Sequence, residues 1–472
     1  MRALIVIWWS AIRESYWFVP SLMAIGAIAL SFGTTAIDTT IGSQWLQDVD
    51  WLYANKPAGA RAVLSTVAGS MITVAGVTFS MTILSISYTT GQVGPRLLNN
   101  FMRDTSNQVT LGVFISTFLY CLMVLRTVRN ADPVASGSGV PAGLTTAFVP
   151  HVAMIVGLLL AITSVGVLIY YIHHIPESIH ISNIVAGVGH DLNHRIEQQF
   201  PSLVGDPHDE ESQRDIDADL PTSFYESAVK LSSSCSGYIE YVDTSGLMAV
   251  ACKNDLVLRL RYRAGDFVTP TSTLLLAAPK DRVGEDVAAQ LTAAFVSGAQ
   301  RTPKQNLRFV MNQLVEVAMR ALSPGVNDPF TAMNCMDWLQ SALENLAGRQ
   351  LPDAHRFDDD GNLRVVAEPE SFSSLVSLAC DQLRPYVAVD GNASIHMMEM
   401  LCRVAVTVSC ESRLRILVRQ AGALRRECRR RLNDKRCMKQ LTERYRSMIR
   451  LLKEPDFRKH VMETGDWIGG RA

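Results

Sequence analysis

The sequence predicts an α-helical membrane protein with four transmembrane helices, joined to a cytosolic α+β region that contains a small barrel-sandwich-like β unit and a helical domain. Three observations carry that expectation. Four long uncharged segments lie in the first 172 residues, each able to cross a hydrocarbon core about 30 Å thick. Downstream, short alternating apolar runs between 236 and 280 give way to helical periodicity from 284 onward. Charge is also segregated: Glu197 to Glu226 holds nine acidic residues against Arg214 alone, whereas Glu411 to Lys459 holds seventeen basic against six acidic. A uniform nucleic-acid binder would not be patterned in this way, and no nucleic-acid partner is expected.

The first span, about 17–37, is introduced by Tyr16, Trp17 and Phe18, with Pro20 in its first turn, a position a helix tolerates. The second, about 62–90, lies in a stretch from Ala62 to Pro95 in which none of 34 residues is charged and fifteen are Ser, Thr or Gly. The third, about 105–125, lies between Asp104 and Arg126, and the fourth, about 148–172, ends on Tyr170 and Tyr171 as interfacial anchors. Arg13 and Glu14 interrupt the N-terminal apolar run and no small-residue cleavage site follows, so no removable signal peptide is expected.

Four spans bring both ends of the chain to one side. Arginine and lysine counts flanking the spans balance, so orientation rests on Asp38, Asp48 and Asp50 in the first loop and on the cysteines. Eight of nine cysteines follow the last span, with no CxxC spacing, which fits reduced thiols in a cytosol. Both termini are therefore expected on the cytosolic side of the membrane.

The expected order is a four-helix membrane domain over 1–175, a juxtamembrane helix and acidic linker over 176–222, a small β domain over 236–280, a helical cytosolic domain over 284–455 and a tail over 456–472. Within the β domain, RYRAGDFVTPTSTLLL has the spacing of a barrel-sandwich half-motif. Carriers of that type display a Lys flanked by Met; Lys253 in VACKND lacks those flanks, and no covalent cofactor is expected. Helices are expected over Asp286 to Ala299, Asn306 to Leu322, Pro329 to Leu346, Ser371 to Val389, Ala393 to Ala421 and on to about Leu452, with a short strand at Asn362 to Ala367.

Several phrases together, ESYWFVPSLM, ARAVLSTVAGSMITVAGVTFSMTILSISYTTGQVGPRLLNNFMRD, GVFISTFLYCLMVLRTVR, VGVLIYYIHHI and ALSPGVNDPFTAMNCMDWL, resemble the bacterial predicted membrane proteins catalogued as domain of unknown function 2254. The likeness runs over about 15–435 and implies an integral membrane protein with an intracellular C-terminal region. It implies no activity, so function must be read from the residues.

On a helical wheel the second span places Thr66, Gly69, Ser70, Thr73, Gly76, Val77, Ser80, Leu84 and Ser87 on one face, of which seven are small or hydroxylated. Such a face either packs closely on another helix or lines water. Both readings favour a homo-oligomer or a tight bundle. Arg96 and Arg103, beyond the Gly91, Gly94, Pro95 break, belong to an amphipathic interfacial piece and sit at headgroups or a pore mouth; Arg126 and Arg129, at the outer end of the third span, guard an entrance or, as is commoner, snorkel to headgroups. No Asp, Glu, Lys or Arg falls deep in any span, which argues against ion-coupled transport.

His173, Glu177 and His180 share i, i+4, i+7 spacing and are weak metal candidates, with Pro176 expected to bend the helix between them. In ALSPGVNDPFTAMN, Ser323, Pro324 and Gly325 end one helix, Asn327 or Asp328 caps the next, and Pro329 occupies its first turn. That cap could hold an anion, but Asp328 would compete with it, so a structural helix-loop-helix is expected. The basic run Arg425, Arg426, Arg429, Arg430, Arg431, Lys435 and Arg436 could bind acidic headgroups, the acidic linker or nucleic acid; interleaved Glu427, Asp434, Leu424, Leu432 and Leu441 make it a solvated amphipathic helix.

No catalytic array, cofactor motif or metal-ligand spacing accompanies these features, and no enzyme or cofactor is expected. The expectation is an oligomeric channel-like protein in the lipid bilayer, passing an ion or small solute along the second span, with a cytosolic gate or vestibule. The alternative is a non-conducting anchor or sensor whose cytosolic domain binds a partner or ligand.

Overall fold

The computed structural model describes residues 15–41, 57–94, 104–130, 148–201, 216–217 and 219–464, in two compact units, one within Val6–His180 and one over Ile181–Ala472. The first unit holds α1 (Phe18–Ile41), α2 (Pro57–Val93), α3 (Thr105–Leu125) and α4 (His151–Ile179). Among the described residues these four helices are long and apolar enough to cross a membrane. α3 is the central helix and packs on α1, α2 and α4. It can be central because its inward residues, Gly112, Phe114, Thr117, Tyr120 and Cys121, are buried by close neighbours. A Cβ at Gly112 would lie 3.3 Å from the Pro20 backbone, so the α1 and α3 backbones approach closely there.

Three of the helices outrun the sequence expectation. α1 continues through Asp38 to Ile41, α2 begins at Pro57, and α4 runs through Pro176 to Ile179. The expected bend at Pro176 does not end the helix; the break falls at His180, whose ψ of 124° is extended. The break expected over Gly91–Pro95 does not fall at Gly91, which is still helical; α2 stops before Gly94, whose φ of 111° suits glycine, and Pro95 lies outside the described residues.

The second unit opens with α5 (Ile181–Gln199) and the single turn α6 (Phe224–Ser227). A mixed α/β part follows: β1 (Val229–Ser232), β2 (Gly237–Val242), α7 (Thr244–Lys253), β3 (Val257–Leu260), β4 (Phe267–Val268), β5 (Thr273–Ala278), α8 (Glu285–Ala293) and β6 (Phe295–Gly298). The helical part comprises α9 (Leu307–Ala321), α10 (Pro329–Ala347), α11 (Phe372–Asp381), α12 (Arg384–Val387), α13 (Gly391–Thr407), α14 (Glu411–Arg431), α15 (Lys435–Lys453) and α16 (Pro455–Thr464), with β7 (His355–Phe357) and β8 (Leu363–Val366) between α10 and α11.

The strands make two sheets, in the orders β1-β5-β3-β8-β7 and β4-β2-β6. All pairings are antiparallel except β3 with β8, where Leu258 lies opposite Val365. This arrangement does not reproduce the expected barrel-sandwich-like unit over 236–280. Leu247 to Cys252 is helical, and β1, β6, β7 and β8 all lie outside those bounds. Both sheets enclose one core of Ile239, Leu247, Leu256, Leu258, Leu275 and Leu291, each essentially inaccessible. Burial of each such side chain contributes about 2 kcal/mol. The long helices expected over 371–389 and 393–421 are each divided, the second at Val408, whose backbone is extended. The expected tail contains α16.

Candidate functional site

α2 meets the rest of its unit along one face and presents the opposite face outward. Ala60, Leu64, Ala68, Met71, Ala75, Thr78, Thr82 and Thr89 are buried, and Leu64 and Ala68 join a cluster with Tyr120, Cys121 and Val124 of α3. Thr66, Gly69, Ser70, Thr73, Gly76, Ser80 and Ser87 are all exposed. A Cβ built on Gly69 or Gly76 would meet nothing within 4 Å. Among the described residues the small residues of this stripe therefore do no packing; close helix contacts are made through other glycines, at Gly112 and Gly157.

Two hydroxyls of the stripe are held by their own helix. Thr73 Oγ1 donates to the Gly69 carbonyl at 2.8 Å, and Ser80 Oγ to the Gly76 carbonyl at 2.9 Å. Each back-bond uses the hydroxyl's donor and leaves its oxygen lone pairs outward. At these two positions the stripe presents hydrogen-bond acceptors beside exposed glycine backbone, bordered by Ile72, Phe79 and Ile83, which are exposed and suited to lipid.

Both ends of the bundle are fixed by side-chain hydrogen bonds. At one end Tyr120 Oη donates to the Ala153 carbonyl at 3.0 Å and shares a hydrogen bond with Thr34 at 3.0 Å, tying α3 to α4 and α1. Asp38 caps α4 there, accepting the Val152 and Ala153 amides at 2.9 Å each. Arg61 reaches the Val128 carbonyl at 2.9 Å. At the other end Tyr171 Oη donates to the Thr78 carbonyl at 2.7 Å and pairs with Thr82 at 2.8 Å. His174 meets Asp104 at 3.0 Å and stacks on Tyr170, while Asp104 also caps α3 through the Ser106 amide. These hydrogen bonds bind the helices of the unit to one another, and the stripe on α2 faces away from the residues that make them.

The remaining predicted residues fall apart from the stripe. Arg126 and Arg129 are exposed at the end of α3, and Arg129 forms a backbone bridge with Phe148. Arg96 and Arg103 lie outside the described residues. His173 and Glu177 form an exposed pair at 3.5 Å, and His180 lies beyond the helix, off the expected i+7 face. Among the described residues no three side chains gather as ion ligands. In the second unit Asp328 is the cap, accepting the Thr331 amide at 3.1 Å, and Pro329 follows in the first turn. Asn327 has a φ of 51°, the left-handed conformation that lets the loop reverse. Val326 and Phe330 of the same loop are exposed.

Two side chains with defined work were not anticipated. Asp38 was placed in a loop. Arg413 is one of the seventeen basic residues between Glu411 and Lys459, yet only 2 % of it is exposed: its guanidinium donates to the Ala347 and Arg349 carbonyls at 3.0 and 3.1 Å and lies over the Phe372 ring. A cation at the C-terminal end of α10 also opposes that helix's partial negative charge. A charge in the first turn, three and four residues before Ile416 and Leu417 on the same face, is the available signal.

Fold and site together define a multi-pass helical membrane protein that carries a large C-terminal unit of helices and small sheets. The chain belongs to the family of predicted membrane proteins designated DUF2254, which matches residues 13–403. It is 30% identical over 422 residues to an uncharacterized protein of Mycobacterium tuberculosis (strain ATCC 25618 / H37Rv), covering 87% of this chain and 77% of the relative. An uncharacterized protein of Mycobacterium bovis shows the same identity and coverage. No solved structure matches the chain.

Proposed function

We propose that the protein is a homo-oligomeric conduction unit of a bacterial inner membrane, in which several copies bring their α2 stripes together around a path for a small ion or neutral solute. The observation that supports this reading is the outward face of α2: seven small or hydroxylated residues exposed on the side opposite the packed one. Lipid gains nothing from glycine backbone and hydroxyl oxygens, whereas a water-filled path between copies uses both. Back-bonded Thr73 and Ser80 present acceptors, which favours cations or hydrogen-bond donors over anions. The soluble unit, on the cytosolic side with both termini, forms the vestibule or gate, and no catalytic step is assigned to it.

Flux through proteoliposomes tests the reading. Wild type passes a small cation or solute, and Thr73→Leu and Ser80→Leu reduce that flux while leaving the monomer's packing intact, since both positions are exposed. A strictly monomeric protein in mild detergent, or no flux from wild type under varied voltage, tension and ionic conditions, defeats it and leaves the chain as a membrane anchor for its soluble unit.

A further inference from the structure

One end of the soluble unit gathers features that are scattered in the sequence. α5 and α10 run side by side in the same direction: His190 packs on the Trp338 ring, Asn193 bonds Ser341 and Asn345 at 3.2 and 3.1 Å, and Arg349 reaches the Phe200 carbonyl at 2.8 Å. The start of α10 therefore lies level with the start of α5. α13 runs the same way beside α10, with His396 on Asp337 at 2.7 Å and Arg403 near Glu344. α14 runs back. It begins where Arg413 caps the end of α10, and its Cys428 returns to Ser394, in the first turn of α13, at 3.3 Å. α15 starts there too, because a Cβ on Gly391 would touch Cys437.

This end therefore carries the beginnings of α5, α10, α13 and α15 and the close of α14. Its surface is of two kinds. Phe330, Val389 and Val326 are 73, 57 and 47 % exposed. Arg429, Arg430, Arg431, Lys435 and Arg436 are exposed at the same end. The carboxylates nearby are occupied locally: Asp328, Asp390 and Asp434 accept backbone amides as helix caps, and Glu427 pairs with Arg430 and Arg431. These four carboxylates keep their charge but are outnumbered by the five exposed cations, so the surface has a basic excess with protruding apolar side chains.

Chain connectivity says what this end is near. Ile181 opens α5, and α4, the last membrane helix, ends at Ile179. Consecutive Cα atoms are about 3.8 Å apart, so α5 starts within about two such steps of the end of α4, whichever way it then leaves. A basic surface with exposed Phe and Val suits the phosphate and upper acyl region of anionic lipid: guanidinium groups bind phosphate oxygens through paired N–H donors, and apolar side chains enter the interface.

We propose that this end of the soluble unit, carrying Val326, Phe330, Val389, Arg429, Arg430 and Arg431, rests on anionic phospholipid of the bilayer that holds the spans. It gives the exposed apolar residues of the ALSPGVNDPF loop a task that helix capping leaves unexplained. It is independent of conduction, since a non-conducting anchor would carry the same surface.

Hydrogen exchange on the full chain tests this, in nanodiscs of phosphatidylcholine alone, in phosphatidylcholine mixed with phosphatidylglycerol, and in detergent with and without inorganic phosphate. Peptides over 323–332 and 427–437 should exchange roughly fivefold or more slowly in the phosphatidylglycerol discs than in the others. Joint replacement Arg429→Ser, Arg430→Ser and Arg431→Ser should remove that difference while exchange over Thr273–Ala278 stays unchanged. Phe330→Ser, at an exposed position, should weaken protection over 323–332 and serves if the triple variant misfolds. Equal exchange in all conditions overturns the proposal. So does equal protection in detergent, which assigns the surface to a second copy of the chain, or protection by inorganic phosphate alone, which assigns it to a free anion.

Discussion

Asp38 and Ala153 are joined across the end of the membrane bundle: one carboxylate oxygen accepts the Ala153 amide at 2.9 Å while the other accepts that of Val152. The first amides of α4 have no partner within their helix, and α4 follows Pro150, which supplies no side-chain cap. Asp38, from the last turns of α1, does the work of a cap from a different helix. Asp38→Ala should lower stability by about 1–2 kcal/mol, the usual range for a lost side-chain cap, and Asp38→Asn by less because one acceptor oxygen remains. Unfolding in a graded denaturing detergent measures both; an Asp38→Ala protein as stable as wild type would show that water replaces the cap.

Gly189 separates packing from helix propensity in α5. A Cβ there would fall 2.3 Å from the Trp338 ring, whereas one at Gly187 meets nothing within 4 Å. Gly189→Ala must push Trp338 and α10 outward, costing roughly 1–3 kcal/mol. Gly187→Ala adds only a better helix former and should stabilise by about 0.5–1 kcal/mol. Denaturant unfolding of the pair should give opposite signs; equal signs would mean that the ring moves aside without strain.

The same contrast marks how far the sequence could be read. The four spans were legible because apolar length and absence of charge leave few alternatives, and the cap at Asp328 was legible because Asn-Asp-Pro is a local signal. Asp38 was not, since its partners are more than a hundred residues away and nothing in the first loop points to them. The five-stranded sheet was missed for a related reason: β8 enters between β3 and β7 from more than a hundred residues downstream, a pairing no local alternation encodes. The stripe on α2 could be drawn on a wheel, but its direction could not, because Ala, Thr and Met on the opposite face proved sufficient to pack against α3.

Arg364 predicts a pH dependence for that sheet. Its Nε donates to Asp358 at 2.7 Å and its Nη1 to Asp255 at 2.6 Å, and Asp358 also accepts the Asn362 amide at 2.8 Å. The hydrogen bond from Arg364 holds the Asp358 carboxyl down at about 2. A depressed carboxylate contributes stability that is complete above its unfolded value near 4 and is lost as pH falls through the folded value. The stability gap between wild type and Asp358→Asn should therefore stand at neutral pH and close between about pH 4 and pH 2. Exchange of the Leu363–Val366 amides reads this locally; a gap constant over that range would mean that the ion pair is immaterial to the strand.

The cysteines give a test of the soluble unit's packing that needs no mutation. Cys335, Cys380 and Cys402 are fully buried on α10, α11 and α13, and burial pushes all three thiols up, Cys380 and Cys402 to about 12. Cys235 and Cys252 are exposed on the α/β part. Alkylation proceeds through the thiolate, so at pH 8 a thiol held near 12 is reactive in about one molecule in ten thousand, before access is counted. Iodoacetamide on the folded protein should modify Cys235 and Cys252 within minutes and reach Cys335, Cys380 and Cys402 only on unfolding. Their rate then reports opening of the interfaces that α10, α11 and α13 form with their neighbours. Modification of Cys380 or Cys402 in native buffer as fast as Cys235 would show that those helices open readily, and the level ends on which the lipid-facing surface depends would not be held together.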